Sequence, residues 1–255
     1  MKCYYSIESN ELCFIELFSS KYVIDDKVVV YYNEVMHDDD FFNRIYVKEL
    51  DIDSINKAID KVRSRGIIPF IYSIYKNLSN RCSDCSYNHN YSYNYSYSYY
   101  DELATLIYRG PDRRNTRESI RVDVVSYIDE LDRWIDVFTA SFSMRNYIEE
   151  VSRRIITAYR GARLRLGLAL KDGIPVGCSA ILVHDNIAGL YCLGVLKEHR
   201  RRGIATALIS HAIDYALSQG YTLIVQTYKR DRLESLYSKS DFKHIYSKYI
   251  YLPDS

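Results

Sequence analysis

The second half of the chain switches between two hydrophobic periodicities. Apolar residues recur every three or four positions at Ile128, Leu131, Trp134, Ile135 and Phe138. They do so again at Tyr147, Ile148, Val151, Ile155, Ala158 and Tyr159, and the spacing predicts two amphipathic helices. Leu164 to Leu170 and Val176 to Val183 are apolar runs flanking Lys171-Asp172-Gly173-Ile174-Pro175, where Asp-Gly predicts a hairpin. A third strand, Ile187 to Val195, leads into a helix from Gly203 to Gln219. Its inner face is Ile204, Ala207, Leu208, Ala212, Tyr215 and Ala216, and Gly220 is its stop. Ile120 to Val125 and Thr222 to Thr227 read as strands, Asp231 to Lys239 as a helix and Phe242 to Leu252 as a closing strand.

In the first half, Leu12 to Leu17 and Tyr22 to Tyr32 are rich in β-branched and aromatic residues, with Asp25-Asp26 as a turn, and predict a hairpin. Asp51 to Gly66 predicts a helix with Ile55, Ala58, Ile59 and Val62 inward, and Ile67 to Ile74 an apolar strand. Asp38, Asp39 and Asp40 read as a solvated turn. Ser86 to Tyr100 is a tract of Tyr, Ser and Asn in which polar residues fill every position between tyrosines, and such bias predicts a loop of low order. Leu103 to Tyr108 reads as a strand and Arg109 to Arg117 as a linker. The expected class is α/β with a mixed sheet. The expected division is a small α/β region at 1–85, a loop and linker at 86–118, and a domain at 119–255.

Composition narrows the function. With 34 basic against 33 acidic side chains among 255 residues the formal charge is +1, so no bulk field favours nucleic acid or an anionic membrane. No apolar run approaches the roughly 20 residues that span a bilayer, and the first eight residues lack the apolar core of a secretory signal, so the expected location is cytoplasmic. Six scattered cysteines do not make a disulfide framework. Cys82-Ser83-Asp84-Cys85 with His89 has the spacing of half a zinc knuckle, but no second pair follows, and no metal is expected.

The chemistry-bearing stretch is Val195-Leu196-Lys197-Glu198-His199-Arg200-Arg201-Arg202-Gly203-Ile204-Ala205-Thr206, an apolar strand that passes through a basic turn into a helix starting at glycine. A helix start holds several N–H groups without intrahelical partners, and the helix dipole adds positive potential there, so backbone can bind a phosphate. Arg200, Arg201 and Arg202 add donors suited to phosphate oxygens. The three-glycine dinucleotide fingerprint and the Gly-Lys-Ser/Thr loop are both absent.

At Arg200, Gly203 and Ala205 the turn resembles the acyl-coenzyme A pyrophosphate loop of the GNAT acetyltransferase superfamily, and the element order from Ile120 to Leu252 resembles that fold. The resemblance implies a coenzyme site built from the backbone of Leu193, Gly194 and Val195 against the pantetheine arm, with Arg200, Arg201, Arg202, Gly203, Ile204, Ala205 and Thr206 around the diphosphate. Leu236-Tyr237-Ser238-Lys239-Ser240-Asp241-Phe242 resembles the family's second motif, which implies that the Tyr237 phenol protonates the departing thiolate. Three positions depart from the pattern. Asp241 replaces a glycine, Arg230 stands where an asparagine often contacts coenzyme, and Gly189 occupies the strand position of a general-base glutamate. The base is therefore unassigned among Tyr191, His184 and Glu149, and Cys192 reads as inert packing.

The implied function is transfer of an acetyl group from acetyl-CoA, as acyl donor, to a primary amine of a small molecule or a protein. The alternative is an acyl-CoA-binding sensor or scaffold that has lost catalysis. The first half, with its hairpin, helix and strand, is open to reading as a degenerate acetyltransferase half.

Overall fold

The computed structural model describes residues 2–76, 78, 95–111, 120–125, 128–161 and 164–254. The Cys82/Cys85/His89 spacing, the tyrosine tract up to residue 94 and most of the linker lie outside the described residues. Contacts divide the chain into two compact units, and the division is not a single cut in sequence. Unit 1 comprises 1–17, 105–227 and 233–245; unit 2 comprises 18–104, 228–232 and 246–255.

Unit 1 opens with helix α1 (Lys2–Ile15). The strand expected at Leu12 to Leu17 is thus corrected. Ile7, Phe14 and Ile15 point inward at helical spacing, but so do Glu8, Asn10 and Glu11, and buried polar residues hide the apolar stripe from a hydropathy reading. Strand β6 (Arg121–Val124) is followed by helices α3 (Ile128–Ser141) and α4 (Ile148–Arg160), as predicted. Trp134, fully buried on α3, stacks on Phe138 at 5.2 Å, and its Nε1–H donates to the Ser179 carbonyl at 3.0 Å. That bond ties α3 to the sheet and satisfies the indole where no water reaches.

Strands β7 (Leu164–Lys171), β8 (Ile174–His184) and β9 (Ile187–Val195) form an antiparallel meander, with β6 antiparallel to β7. The Asp172-Gly173 turn has both residues at positive φ, as a tight hairpin of this kind demands. Helix α5 (Ile204–Gln219) then carries the chain to β10 (Thr222–Tyr228), which lies parallel to β9. Ile204 and Leu208 pack with Ile120, Ala169 and Val176, and Ala212 and Ala216 are buried as expected, whereas Ala207 and Tyr215 are only partly buried and Ile209, Ser210 and Ile213 are buried beside them. A short helix, α6 (Glu234–Ser238), precedes β11 (Phe242–Pro253).

Unit 2 is wired the same way with shorter parts. Strands β1 (Ser20–Val23), β2 (Val28–Tyr32) and β3 (Arg44–Val47) form an antiparallel meander. Helix α2 (Ile52–Arg63) then leads to β4 (Ile71–Ser73), parallel to β3. The expected hairpin turn at Asp25-Asp26 is present, closed by the Asp25 carboxylate accepting from the amides of Lys27 and Val28 at 2.9 Å each. Ile55, Ala58, Ile59 and Val62 of α2 pack on Val28, Val30, Ile45 and Val47. Strand β5 (Tyr97–Tyr108) takes in Tyr97 to Tyr100, which the composition of the tract assigned to a loop; Tyr97 Oη donates to Asn56 Oδ1 at 2.9 Å and helps hold this end.

The acidic run forms a turn with Asp38 exposed, but Asp39 and Asp40 are drawn out of solvent. The Asp39 carboxylate accepts from the amides of Phe41 and Phe42 at 2.9 Å, and burial pushes its pKa up to about 6. Asp40 is buried in a bidentate pair with Arg230, at 2.5 and 3.0 Å, and Arg230 also reaches Asp101 at 3.0 Å.

A diverging strand pair and an uncapped helix start

The candidate site lies in unit 1, where β9 and β10 part. Their parallel register runs from Ile187↔Thr222 through Leu190↔Val225 and ends there. Beyond that rung, Tyr191 to Val195 remain in β9 and Gln226 to Tyr228 in β10. In unit 2 the equivalent pair, β3 and β4, is matched to the final residue of β3, Val47↔Ser73.

A bulge distorts the diverging part of β9. Ala180 pairs with Tyr191 and Cys178 with Gly194, so Cys192 and Leu193 together face Ser179 alone, and Cys192 takes a left-handed φ of 53°. A bulge re-aims backbone groups out of the ladder, here in the stretch of Leu193, Gly194 and Val195. Gly194 is needed for packing: a Cβ there would lie 2.8 Å from Ser141 Cβ and 2.9 Å from Phe142 Cε2, at the end of α3.

The turn after β9 begins with a 3-10 segment, Lys197–His199. Arg200 is exposed, yet its donors reach the chain itself: Nε bonds the Val195 carbonyl at 3.1 Å and an Nη bonds the Ser141 carbonyl at 3.3 Å. It staples the turn to the end of β9 and to α3. Arg201 and Arg202 are exposed, Arg201 with φ of 62°.

Gly203 caps α5 with φ of 82°, a left-handed conformation that glycine adopts without steric cost. Gly203 has no side chain with which to cap the helix, and the first intrahelical bond runs from the Ala207 amide to the Gly203 carbonyl at 3.0 Å. The amides of Ile204, Ala205 and Thr206 therefore precede the ladder, at the positive end of a 16-residue helix. The Ile204 side chain belongs to the core, so its backbone alone faces the turn. In unit 2 the start of α2 is closed instead: the Asp51 carboxylate accepts from the Ser54 amide at 3.0 Å and pairs with Lys27 at 2.6 Å.

Tyr237, on α6, is 3% exposed, and its ring meets Phe242 edge to face at 5.9 Å. Asp241 has φ of 63° and its carbonyl accepts from the Arg109 amide at 2.9 Å, so the residue standing in place of a glycine does hold a glycine-like backbone conformation. Arg230 belongs to unit 2 and is taken up by Asp40 and Asp101.

Gly189 is filled around rather than open. A Cβ there would collide with Asn10 Oδ1 and the Tyr191 ring, so no carboxylate fits. Tyr191 Oη donates to Asn10 Oδ1 at 2.7 Å, and its ring stacks on Phe14 at 3.9 Å. His184 lies at the hairpin before β9, with Nε2 2.9 Å from Ser9 Oγ. Burial raises the pKa of both Cys178 and Cys192 well above the ordinary thiol value, which leaves them protonated packing groups. Among the described residues no group of three or more His, Cys, Asp or Glu is placed to hold a metal, and no helix is long and apolar enough to cross a membrane.

Residues 131–242 match the acetyltransferase (GNAT) family. Among solved structures, a GCN5-related N-acetyltransferase from Sphaerobacter thermophilus superposes with a TM-score of 0.67 at 12% identity, over 90% of this chain and 81% of that one. Another from Kribbella flavida gives 0.63 at 15% identity, over 97% and 94%. A functionally unknown conserved protein from Staphylococcus epidermidis ATCC 12228 gives 0.65 at 15%, over 94% and 95%. At these identities the likeness is one of fold. No curated protein matches the chain significantly. The strand divergence, the glycine-started helix and the family match fall on the same residues, and the chain therefore carries, over 131–242, a domain of the GNAT acetyltransferase family.

Proposed function

We propose that unit 1 is an N-acyltransferase that moves an acetyl group from acetyl-CoA to a primary amine. The observation that carries this reading is the coincidence of the β9–β10 ladder ending at Leu190↔Val225 with an uncapped helix start at Gly203 on the connection between those same strands. The diphosphate sits on the amides of Ile204, Ala205 and Thr206, with Arg201 and Arg202 as exposed cations beside them. The pantetheine arm lies along the bulged backbone of Leu193, Gly194 and Val195. A backbone N–H in that bulge polarises the thioester carbonyl where negative charge develops.

The amine nitrogen attacks the carbonyl carbon, the C–N bond forms and the C–S bond breaks. Tyr237 gives its phenolic proton to the leaving sulfur and is reprotonated as the amine sheds its surplus proton to solvent. A phenol has an ordinary pKa of about 10 and keeps its proton at neutral pH, and such an acid contributes typically 10² to 10⁴ in rate.

A second reading, an acyl-CoA-binding module without turnover, is favoured by one observation: Gly189 and the packing around it leave no room for a carboxylate on β9. Thiol release from acetyl-CoA across a panel of primary amines separates the two. Turnover removes the silent module, and coenzyme binding without turnover removes the enzyme. Unit 2 repeats the meander and crossover of unit 1 but has neither the gap nor the open helix start, which supports reading it as a degenerate acetyltransferase half without a coenzyme site of its own.

A further inference from the structure

At the point where β9 and β10 separate, polar groups from three elements of unit 1 form a network with one vacancy. Gln226 is the first residue of β10 past the last rung. Its Nε2 donates to Glu11 Oε2 at 2.6 Å and to Thr105 Oγ1 at 3.2 Å. Glu11 and Thr105 are fully buried. An ionised carboxylate only accepts hydrogen bonds, so the Gln226 amide cannot turn over without setting oxygen against oxygen. Gln226 Oε1 is thereby held facing away from Glu11. It is buried and has no hydrogen-bond partner among the described residues, a condition that costs about 1–3 kcal/mol unless a donor arrives.

The neighbouring groups are committed. Asn10 Nδ2 donates to the carbonyls of Leu182 at 3.1 Å and Ile187 at 2.8 Å, which turns its Oδ1 toward the Tyr191 hydroxyl. Gln226 itself is half-buried and stands one residue past the last rung of the β9–β10 ladder. The vacancy thus offers a carbonyl oxygen backed by a buried carboxylate, and the complementary ligand group is an N–H donor carrying positive charge.

We infer that Gln226 Oε1, oriented by Glu11 and Thr105, is the anchor for the acceptor's ammonium group, which releases one proton to solvent before its neutral nitrogen attacks, and that this subsite selects cationic primary amines. The inference rests on the acyltransferase reading. The buried carboxylate that β9 lacks at Gly189 is supplied nearby by α1, acting on the substrate's charge through Gln226; Glu11 is here a positioning residue. The same N–H donor chemistry is also present in the pantetheine amides, and the experiment separates the two sources.

The test measures thiol release from acetyl-CoA with 1,4-diaminobutane, phenethylamine, glycinamide and O-methylhydroxylamine, the last uncharged at neutral pH, alongside calorimetric affinity for acetyl-CoA. Gln226→Met is expected to raise KM for the best cationic amine about 10- to 100-fold, the loss of one bond to a charged group, with acetyl-CoA affinity unmoved. Glu11→Gln, isosteric and serving as the second variant should Gln226→Met not fold, is expected to raise the cationic amine's KM more than that of O-methylhydroxylamine. A drop in acetyl-CoA affinity with the amine KM unchanged assigns the vacancy to pantetheine and overturns the inference. So does a wild type that binds acetyl-CoA but turns over no amine. Failure to bind acetyl-CoA at all overturns the acyltransferase reading itself and this subsite with it.

Discussion

Leu190 on β9 and Val225 on β10 form the last rung of a parallel ladder that begins at Ile187 and Thr222. Past them the backbone of β9 bulges at Cys192, and the chain leaves through Arg200, which holds the end of the strand by its Val195 carbonyl. Divergence, bulge and staple fall together on the last residues of β9 and the turn that leads into α5. The unit 2 counterparts, closed by Val47↔Ser73 and by Asp51, show what the same wiring looks like without that opening.

Gly203→Val is expected to weaken acetyl-CoA binding by more than about tenfold. The reason is backbone: at φ of 82° a β-branched residue is strained by about 1–3 kcal/mol, whereas the space beside it is open, with Ile120 Cδ1 4.0 Å away. Relief of the strain re-aims the amides of Ile204 to Thr206. Calorimetry reads the affinity, and an unchanged Kd contradicts the cradle.

Tyr237→Phe keeps the ring that packs on Phe242 and removes only the hydroxyl. Turnover is expected to fall about 10²-fold or more with acetyl-CoA affinity unmoved. Equal loss in kcat and in coenzyme affinity denies the phenol its role as proton donor.

Gly189→Glu is expected to destabilise rather than supply a base. The new Cβ strikes Asn10 Oδ1 and the Tyr191 ring, breaking the bond between them, and overpacking of this kind costs about 1–3 kcal/mol or more. A lowered denaturation midpoint is the expected reading; a folded variant with enhanced turnover contradicts it.

Asp39 gives a pH signature in unit 2. Its pKa is raised to about 6 from 3.8, so the folded state favours the neutral acid. The contribution is present below the unfolded value and is lost as pH climbs through about 6. Asp39→Asn keeps an oxygen to accept from the Phe41 and Phe42 amides and removes the charge. Relative to wild type it is expected to gain stability, up to about 3 kcal/mol, between pH 4 and pH 7 and to be neutral or worse near pH 4. A difference that stays flat with pH contradicts the burial of the charge.

Most of unit 1 was legible because its elements are periodic and bounded. The stripes of α3 and α4, the Asp172-Gly173 hairpin and the Gly203-to-Gly220 helix all signal locally. α1 was not, because Asn10 and Glu11 point inward to partners more than 170 residues away, and burial of polar groups is decided by tertiary contacts that composition does not reveal. β3 is four residues long, too short for an alternation to register. At the site, Gly203 was legible from its place before an apolar helix, whereas the end of the ladder at Leu190↔Val225 and the fixed amide of Gln226 depend on strand register and long-range pairing. Arg200 was read as a phosphate donor and is found bonding two backbone carbonyls, a role that only the return of the chain past Ser141 exposes.

The most direct measurement is isothermal titration of the full chain with acetyl-CoA, repeated with Gly203→Val. One saturable site per chain is expected, lost or weakened more than about tenfold in the variant. No heat of binding at millimolar acetyl-CoA, or binding that the variant leaves untouched, contradicts it.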